Sequence, residues 1–285
     1  MRISQFADDT VFFLRTYGAL KHMWRILMVY EEVTGMLINQ TKTEGLRCGR
    51  LRKHPIPYRP DLGTDLIEWV KPSEFMRLLG IPFWEYYDDT DYFTAQYRRV
   101  KCILASWDDH VILTLYGRNM LANSMVYSRF RHWAQCMVLP DWLVTALHKD
   151  TQALIWGKLV DFDADEIGTT TRYRRSMKAP AQYLPRNQLG LAVLHWPSHV
   201  AALQVRWLTR YLDPTRGTWK LVLDAWFADR APLRLRDGRG AVFSSISTKH
   251  MTDATIEGAM PMSALPKFWK EALTALRGMH IELIT

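Results

Sequence analysis

Arg2 to Phe6 and Val11 to Leu14 are β-prone runs, and the four residues between them, Ala7, Asp8, Asp9 and Thr10, place an acidic pair where the chain has to reverse. Aspartate is a turn former, so this spacing predicts a β-hairpin with both carboxylates at its tip. From Leu20 the period changes: Leu20, Met23, Trp24, Leu27 and Tyr30 fall at helical spacing, and Gly35 stands where a helix commonly ends. The start of the chain therefore reads as a hairpin followed by a helix laid against a sheet.

Met36 to Ile38 and Leu46 to Cys48 bracket a polar run, Asn39 to Glu44, and read as a second short strand–turn–strand unit. Pro55 to Pro60 has neither period and reads as a surface loop or linker. A further strand pair is expected from Ile67 to Val70 and from Phe75 to Phe83, with Pro72 between them and Gly80 interrupting the second. From Tyr92 the pattern is helical. Phe93, Tyr97, Val100, Leu104 and Trp107 make one buried stripe, with Arg98, Arg99 and Lys101 mostly off it.

A second helix is expected from about Leu115 to Met137, with Leu121, Met125 and Trp133 inward and Arg118, Arg129 and Arg131 elsewhere. Pro140 and Asp141 restart the pattern, Leu143, Leu147 and Leu154 face in, and Gly157 is the expected stop. Asp161 to Glu166 reads as an acidic loop, followed by basic Arg172, Arg174, Arg175 and Lys178. Another amphipathic helix spans Val200 to Tyr211, and Phe268, Trp269, Leu273 and Leu276 predict one late helix. Arg234 to Gly240 reads as a flexible basic turn.

Thirty-seven Lys and Arg against 29 Asp and Glu give a net charge of +8, a balance that favours polyanions such as nucleic acid or an acidic membrane face. The three cysteines, Cys48, Cys102 and Cys136, lack paired spacing, which argues against a disulfide framework or zinc knuckle and for a reducing compartment. No apolar run approaches the roughly 20 residues that span a bilayer, so a soluble intracellular protein without a membrane partner is expected. Twelve Trp, twelve Tyr and eleven Phe point first to a core of large rings and only second to base stacking.

Two adjacent carboxylates at a hairpin tip are what a two-metal phosphoryl-transfer site requires, because Mg²⁺ takes hard oxygen ligands and leaves positions for phosphates. Such a site calls for a further carboxylate from a neighbouring strand. An isolated Asp-Asp pair is more often a solvated turn, and the order of the segments downstream sets this pair apart. Phe6 to Asp9, the amphipathic helix, then Thr34-Gly35-Met36-Leu37-Ile38-Asn39-Gln40-Thr41-Lys42-Thr43, then Met76 to Ile81, closely resemble the reverse transcriptases of non-LTR (LINE-type) retrotransposons. There the corresponding elements are the catalytic palm hairpin, a G-x-x-I-N-x-x-K-[ST] segment and an L-G-I primer grip.

The resemblance continues through Trp107, Leu113 to Arg118, Asn123 to Phe130 and Ile155 to Gly157, which look like that family's thumb landmarks. Asn187 to Leu191 resembles its G-G-L-G-L step with the first two glycines replaced. What the resemblance implies is an RNA-directed DNA polymerase, a nucleotidyltransferase, in which Asp8 and Asp9 hold Mg²⁺. Lys42 would lie near the incoming deoxynucleoside triphosphate, although a solvated turn lysine explains it equally well. Met76, Leu78, Leu79 and Gly80 would hold the primer end. Arg98, Arg99, Lys101, Arg118, Arg129 and Arg131 would track the backbones of an RNA template and DNA primer.

The expected fold is α+β: a partial palm with primer grip over residues 1–90, a helical thumb over 91–160, a helical connection over 161–230 and a C-terminal extension over 231–285. The family's fingers and its other palm aspartate precede the acidic hairpin, so the isolated chain is expected to lack polymerase activity. An alternative expectation is a noncatalytic module that binds nucleic acid through the basic helices.

Overall fold

The structure is a computed structural model, and it describes residues 2–6, 9–72, 74–84, 89–108, 113–156, 177–215, 217–230 and 267–278. The architecture is α+β and mostly helical. The chain forms two compact units, Met1–Asp89 and Thr90–Thr285.

In the first unit, strands β1 (Arg2–Phe6) and β2 (Asp9–Phe13) form an antiparallel hairpin in which Arg2 pairs with Phe13 and Phe6 with Asp9. The hairpin is as expected, but Asp9 belongs to the second strand and not to the tip. Asp8 lies outside the described residues. Helix α1 (Ala19–Thr34) follows and stops at Gly35, whose φ of 69° is one that a side chain would resist and whose N–H donates to the Glu31 carbonyl at 2.8 Å. Leu20 and Met23 of α1 are buried with Ile67, and Phe12, Leu14, Trp24, Leu27, Leu62 and Trp69 pack around them. Burying each of the two α1 side chains stabilises the unit by about 1.5–3 kcal/mol. Only the first half of the expected stripe is covered: Tyr30 is exposed, as are Ile26, Val29 and Val33.

The expected strand–turn–strand unit over Met36 to Cys48 does not form. Gln40–Lys42 is a single 3-10 turn, and only Glu44–Gly45 is strand (β3), pairing in parallel with Glu68–Trp69 (β4). The polar side chains compete locally with a ladder: Thr41 Oγ1 donates to Asn39 Oδ1 at 2.7 Å and Thr43 Oγ1 to the Asn39 carbonyl at 3.1 Å. The loop after Pro60 is pinned by two indoles. Trp24 Nε1 donates to the Gly63 carbonyl at 3.2 Å and Trp69 Nε1 to the Thr64 carbonyl at 2.9 Å.

The expected pairing of Ile67–Val70 with Phe75–Phe83 is also replaced. Strands β5 (Phe75–Leu78) and β6 (Ile81–Trp84) pair with each other, Leu78 opposite Ile81. Gly80 does not interrupt a strand; with Leu79 it forms the hairpin's two-residue turn, both at positive φ (51° and 77°), the handedness that matches strand twist.

The second unit opens with α2 (Asp89–Asp108), on which Tyr92, Phe93, Tyr97, Val100 and Leu104 are buried as the spacing predicts. Lys101, expected off this stripe, is buried as well, at 3 % exposure. It sits one turn after Tyr97, so its stem shares that face and its Nζ lies 5.5 Å from the Tyr97 ring centre.

Leu115 to Cys136 runs continuously through α3 (Leu115–Leu121), a π-helical stretch (Ala122–Tyr127) and α4 (Ser128–Cys136). Thr114 caps its start by accepting from the Gly117 N–H at 3.2 Å. The wider π turn advances the buried stripe to Val126, Tyr127, Phe130 and Ala134, and this is why Met125, expected inward, is exposed. Trp133 is half-buried, its ring edge-on to Tyr92, Phe93 and Phe130.

Helix α5 (Asp141–Trp156) starts at the Pro140 carbonyl, which accepts from Leu143 and Val144, and buries Leu143, Leu147 and Leu154. Gly157, the acidic run 161–166 and Arg172, Arg174 and Arg175 lie outside the described residues, as does the turn 234–240. Helices α6 (Trp196–Leu212), α7 (Thr218–Arg230) and α8 (Lys267–Gly278) complete the unit. The late helix expected around Trp269 is α8, and it shares one core with α6: Val205, Leu208 and Tyr211 against Trp269, Ala272, Leu273 and Leu276.

Candidate nucleic-acid interface

The chemistry expected at the N-terminal hairpin needs several carboxylates held together. Asp9 is exposed at the first position of β2, held there by pairing with Phe6. Among the described residues no three His, Cys, Asp or Glu side chains stand close enough to hold a metal ion. Asp9 by itself is one ligand and does not make a Mg²⁺ site. Lys42 ends the 3-10 turn and is exposed. A shallow groove near it is lined by Gln40, Thr41, Asp65, Leu66, Ile67 and Glu68, and two carboxylates in that lining oppose a triphosphate.

The residues expected to grip a primer fall on one hairpin. Met76 and Leu78 are half-buried on β5, while Leu79 and Gly80 form its exposed turn. The guanidinium of Arg77 lies 5.6 Å from the Phe75 ring centre on the same strand.

On the helical unit, Arg98 and Arg99 are exposed on α2, and Arg129 is exposed on α4 with its Nε donating to the Met125 carbonyl at 3.1 Å. Arg118 is half-buried, its Nη1 3.5 Å from the Leu154 carbonyl. Arg131 is half-buried beside His199; burial first, and then the Arg131 charge, push the His199 imidazole below its ordinary value. Lys101 leaves the set of phosphate contacts, because a buried ammonium cannot reach a backbone in solvent.

Counting charge over one long window hides the strongest signal. Between Arg98 and Lys178 there are twelve Lys and Arg and eight Asp and Glu, a modest excess. Yet residues 113–140 and 177–212 contain no Asp or Glu at all, while they carry Arg118, Arg129, Arg131, Lys178, Arg186, Arg206 and Arg210. These two stretches pack on each other. The Tyr127 and Trp196 rings stack with centres 4.6 Å apart and planes within 7°. Trp207 Nε1 donates to the Gln135 carbonyl at 2.6 Å, and Asn119 Nδ2 donates to the carbonyls of Leu191 and Ala192 at 3.1 and 3.3 Å.

Arg186, Arg206 and Arg210 were thus absent from the expected contacts although the sequence carried their signal, the missing carboxylates. Arg186 lies with its guanidinium carbon 3.8 Å from the Tyr116 ring centre, and that of Arg210 is 5.1 Å from Trp207. Within these two stretches the cations have no carboxylate neighbours in sequence, and Asp224, on the following helix, meets the second stretch at Tyr211.

Among the described residues, no helix is long and apolar enough to cross a membrane. No family model, curated protein or solved structure matches this chain.

Proposed function

We propose that this chain is a segment of a LINE-type reverse transcriptase that binds an RNA template and a DNA primer through its helical unit. The observation that supports the reading most directly is the pair of acid-free, mutually packed stretches, 113–140 and 177–212, with their seven Lys and Arg. Nonspecific affinity for nucleic acid comes mainly from cations that displace condensed counterions, and these stretches supply cations with no acidic residue among them in sequence. The two hairpins of the first unit add support by order: a carboxylate-bearing hairpin, a helix ending at Gly35, a polar turn holding Lys42, and a tight hairpin turning at Leu79 and Gly80.

In this reading Mg²⁺ supplies the phosphoryl-transfer chemistry of the complete polymerase, with Asp8 and Asp9 as two of its ligands and deoxynucleoside triphosphates as substrates. The isolated chain binds primer–template and does not extend it. The test is a primer-extension assay with Mg²⁺ and an RNA template, run beside a binding titration on the same duplex. Salt-sensitive binding without extension is expected. Extension that disappears in Asp8→Asn would show instead that this chain is a polymerase by itself, and no binding even at low salt would sink the reading.

A further inference from the structure

One turn of the helical unit is held in a backbone conformation its own side chains resist. Leu189 (φ 62°) and Ala192 (φ 50°) both lie in the left-handed region, where a Cβ crowds the following carbonyl. Gly190 between them approaches Leu184 so closely that a Cβ there would stand 1.9 Å from the Leu184 carbonyl oxygen. The turn persists because its surroundings over-determine it. Gln188 and Gly190 donate to the Pro185 carbonyl at 2.9 and 3.2 Å, Leu189 to Arg186 at 3.0 Å, and Ala192 to Leu184 at 2.9 Å. Asn119 clamps the far side through Leu191 and Ala192.

What this fixed turn presents is an apolar side chain in water. Leu189 is 91 % exposed, the highest value of any large apolar residue among those described. It makes no use of that position in the folded unit, since a Leu so exposed adds almost no burial. Backbone strain of this kind clusters at ligand-contacting and switch positions. Arg186, three residues earlier, is held over the Tyr116 ring, so a cation and an apolar knob share one turn, supported by segments that contain no Asp or Glu.

We propose that Leu189 is a wedge that enters the groove of a double-stranded nucleic acid and unstacks a base step, with Arg186 meeting the adjoining phosphate. Apolar wedges flanked by cations are how many proteins insert into a minor groove, and the rigid turn spares the ordering entropy that a mobile loop would lose. Charge favours a nucleic acid over a protein partner here, because the two segments that build the turn and its Tyr116 support, 177–212 and 113–140, contain cations and no Asp or Glu. The proposal rests on the reading of the helical unit as a nucleic-acid binder, and its test separates the two.

The test uses the whole chain and a short RNA–DNA duplex carrying a fluorescent adenine analogue that brightens on unstacking. The parent should bind and brighten the probe. Leu189→Asn should abolish the brightening and weaken binding about ten-fold, while leaving the salt dependence unchanged. Asparagine tolerates positive φ better than leucine, so this variant should fold at least as well as the parent, and Leu189→Met should retain the signal. Arg186→Ala should flatten the logarithmic salt dependence by about one. Parent binding with no brightening, or brightening that survives Leu189→Asn, would overturn the wedge and leave nucleic-acid binding standing. No binding by the parent would remove both, and a change of oligomeric state in Leu189→Asn without any effect on the duplex would reassign the knob to a protein contact.

Discussion

The Tyr97 hydroxyl donates to Asp150 Oδ2 at 2.6 Å, joining α2 to α5 through a carboxylate that is almost wholly out of water. Desolvation pushes Asp150 above the ordinary carboxylate value, although the Tyr97 hydrogen bond and the charges of Lys101 and Lys149 pull it down. Burial, and then the Asp150 charge, push the Tyr97 hydroxyl up, so it stays a donor throughout the working range. A carboxyl whose folded value is raised contributes stability that is full below its unfolded value, about 3.9, and is lost as pH rises through the folded value.

Tyr97→Phe removes a hydrogen bond that lowers Asp150 and leaves the carboxylate without its hydroxyl donor. The loss of stability on raising pH should therefore be larger in the variant than in the parent. Denaturant unfolding should give a cost of about 1–3 kcal/mol at about pH 7 and a smaller one at about pH 3, below the ordinary carboxyl value, where the group is mostly protonated in both proteins. A cost independent of pH would show that the ring's packing alone is responsible.

Two glycines separate steric from conformational demand. At Gly35 the backbone has φ 69° and nothing lies within 4 Å of where a Cβ would stand, so Gly35→Ala should cost only the left-handed penalty, about 1–2 kcal/mol. At Gly190 the added methyl would meet the Leu184 carbonyl oxygen at 1.9 Å and its Cβ at 2.6 Å, so the turn has to move. Gly190→Ala should cost more, about 3 kcal/mol or above, and thermal unfolding of the two variants side by side would reveal the order.

How far the sequence foretold this structure depended on how local each cause was. The first hairpin, α1 with its stop at Gly35, and α5 behind Pro140 stem from neighbours in sequence, and they formed where the pattern placed them. The β3–β4 pairing joins Glu44 to Glu68 through a long loop, so no local period could announce it. The β5–β6 hairpin was hidden because its turn uses Leu79 at φ 51°, where asparagine or glycine would have signalled a turn. Met125 came out exposed because a π turn rephases the helix, and Lys101 went in because one turn of helix sets it beside Tyr97. The basic character of 113–140 and 177–212 was readable all along, but in the absence of acids over two separate stretches and not in any single motif.

Leu79 offers a direct check on the β5–β6 turn. A primed two-residue turn favours Asn-Gly, and here Leu-Gly occupies it with Leu79 exposed and at positive φ. Leu79→Asn should stabilise the first unit by up to about 1 kcal/mol, the relief of backbone strain outweighing the partial burial given up by a leucine that is 44 % exposed. The readout is hydrogen exchange at the amides of β5 and β6, which should slow in the variant. Faster exchange would mean that Leu79 packs in a way its exposure hides.

Arg129 and Lys101 make opposite predictions about the same interface. Arg129 is exposed on α4 within an acid-free stretch, so Arg129→Ala should weaken duplex binding evenly across sequences and reduce the logarithmic salt slope by about one. Lys101 is buried against the Tyr97 ring and lowers Asp150 through its charge. Lys101→Met keeps most of the stem's packing but strips that compensation, so it should destabilise the unit by about 1–3 kcal/mol and leave the salt slope of the folded protein unchanged. Fluorescence-anisotropy titrations over a range of salt, paired with unfolding curves, give both quantities for each variant. A reduced slope in Lys101→Met would return Lys101 to the phosphate contacts, and an unchanged slope in Arg129→Ala would remove α4 from the interface.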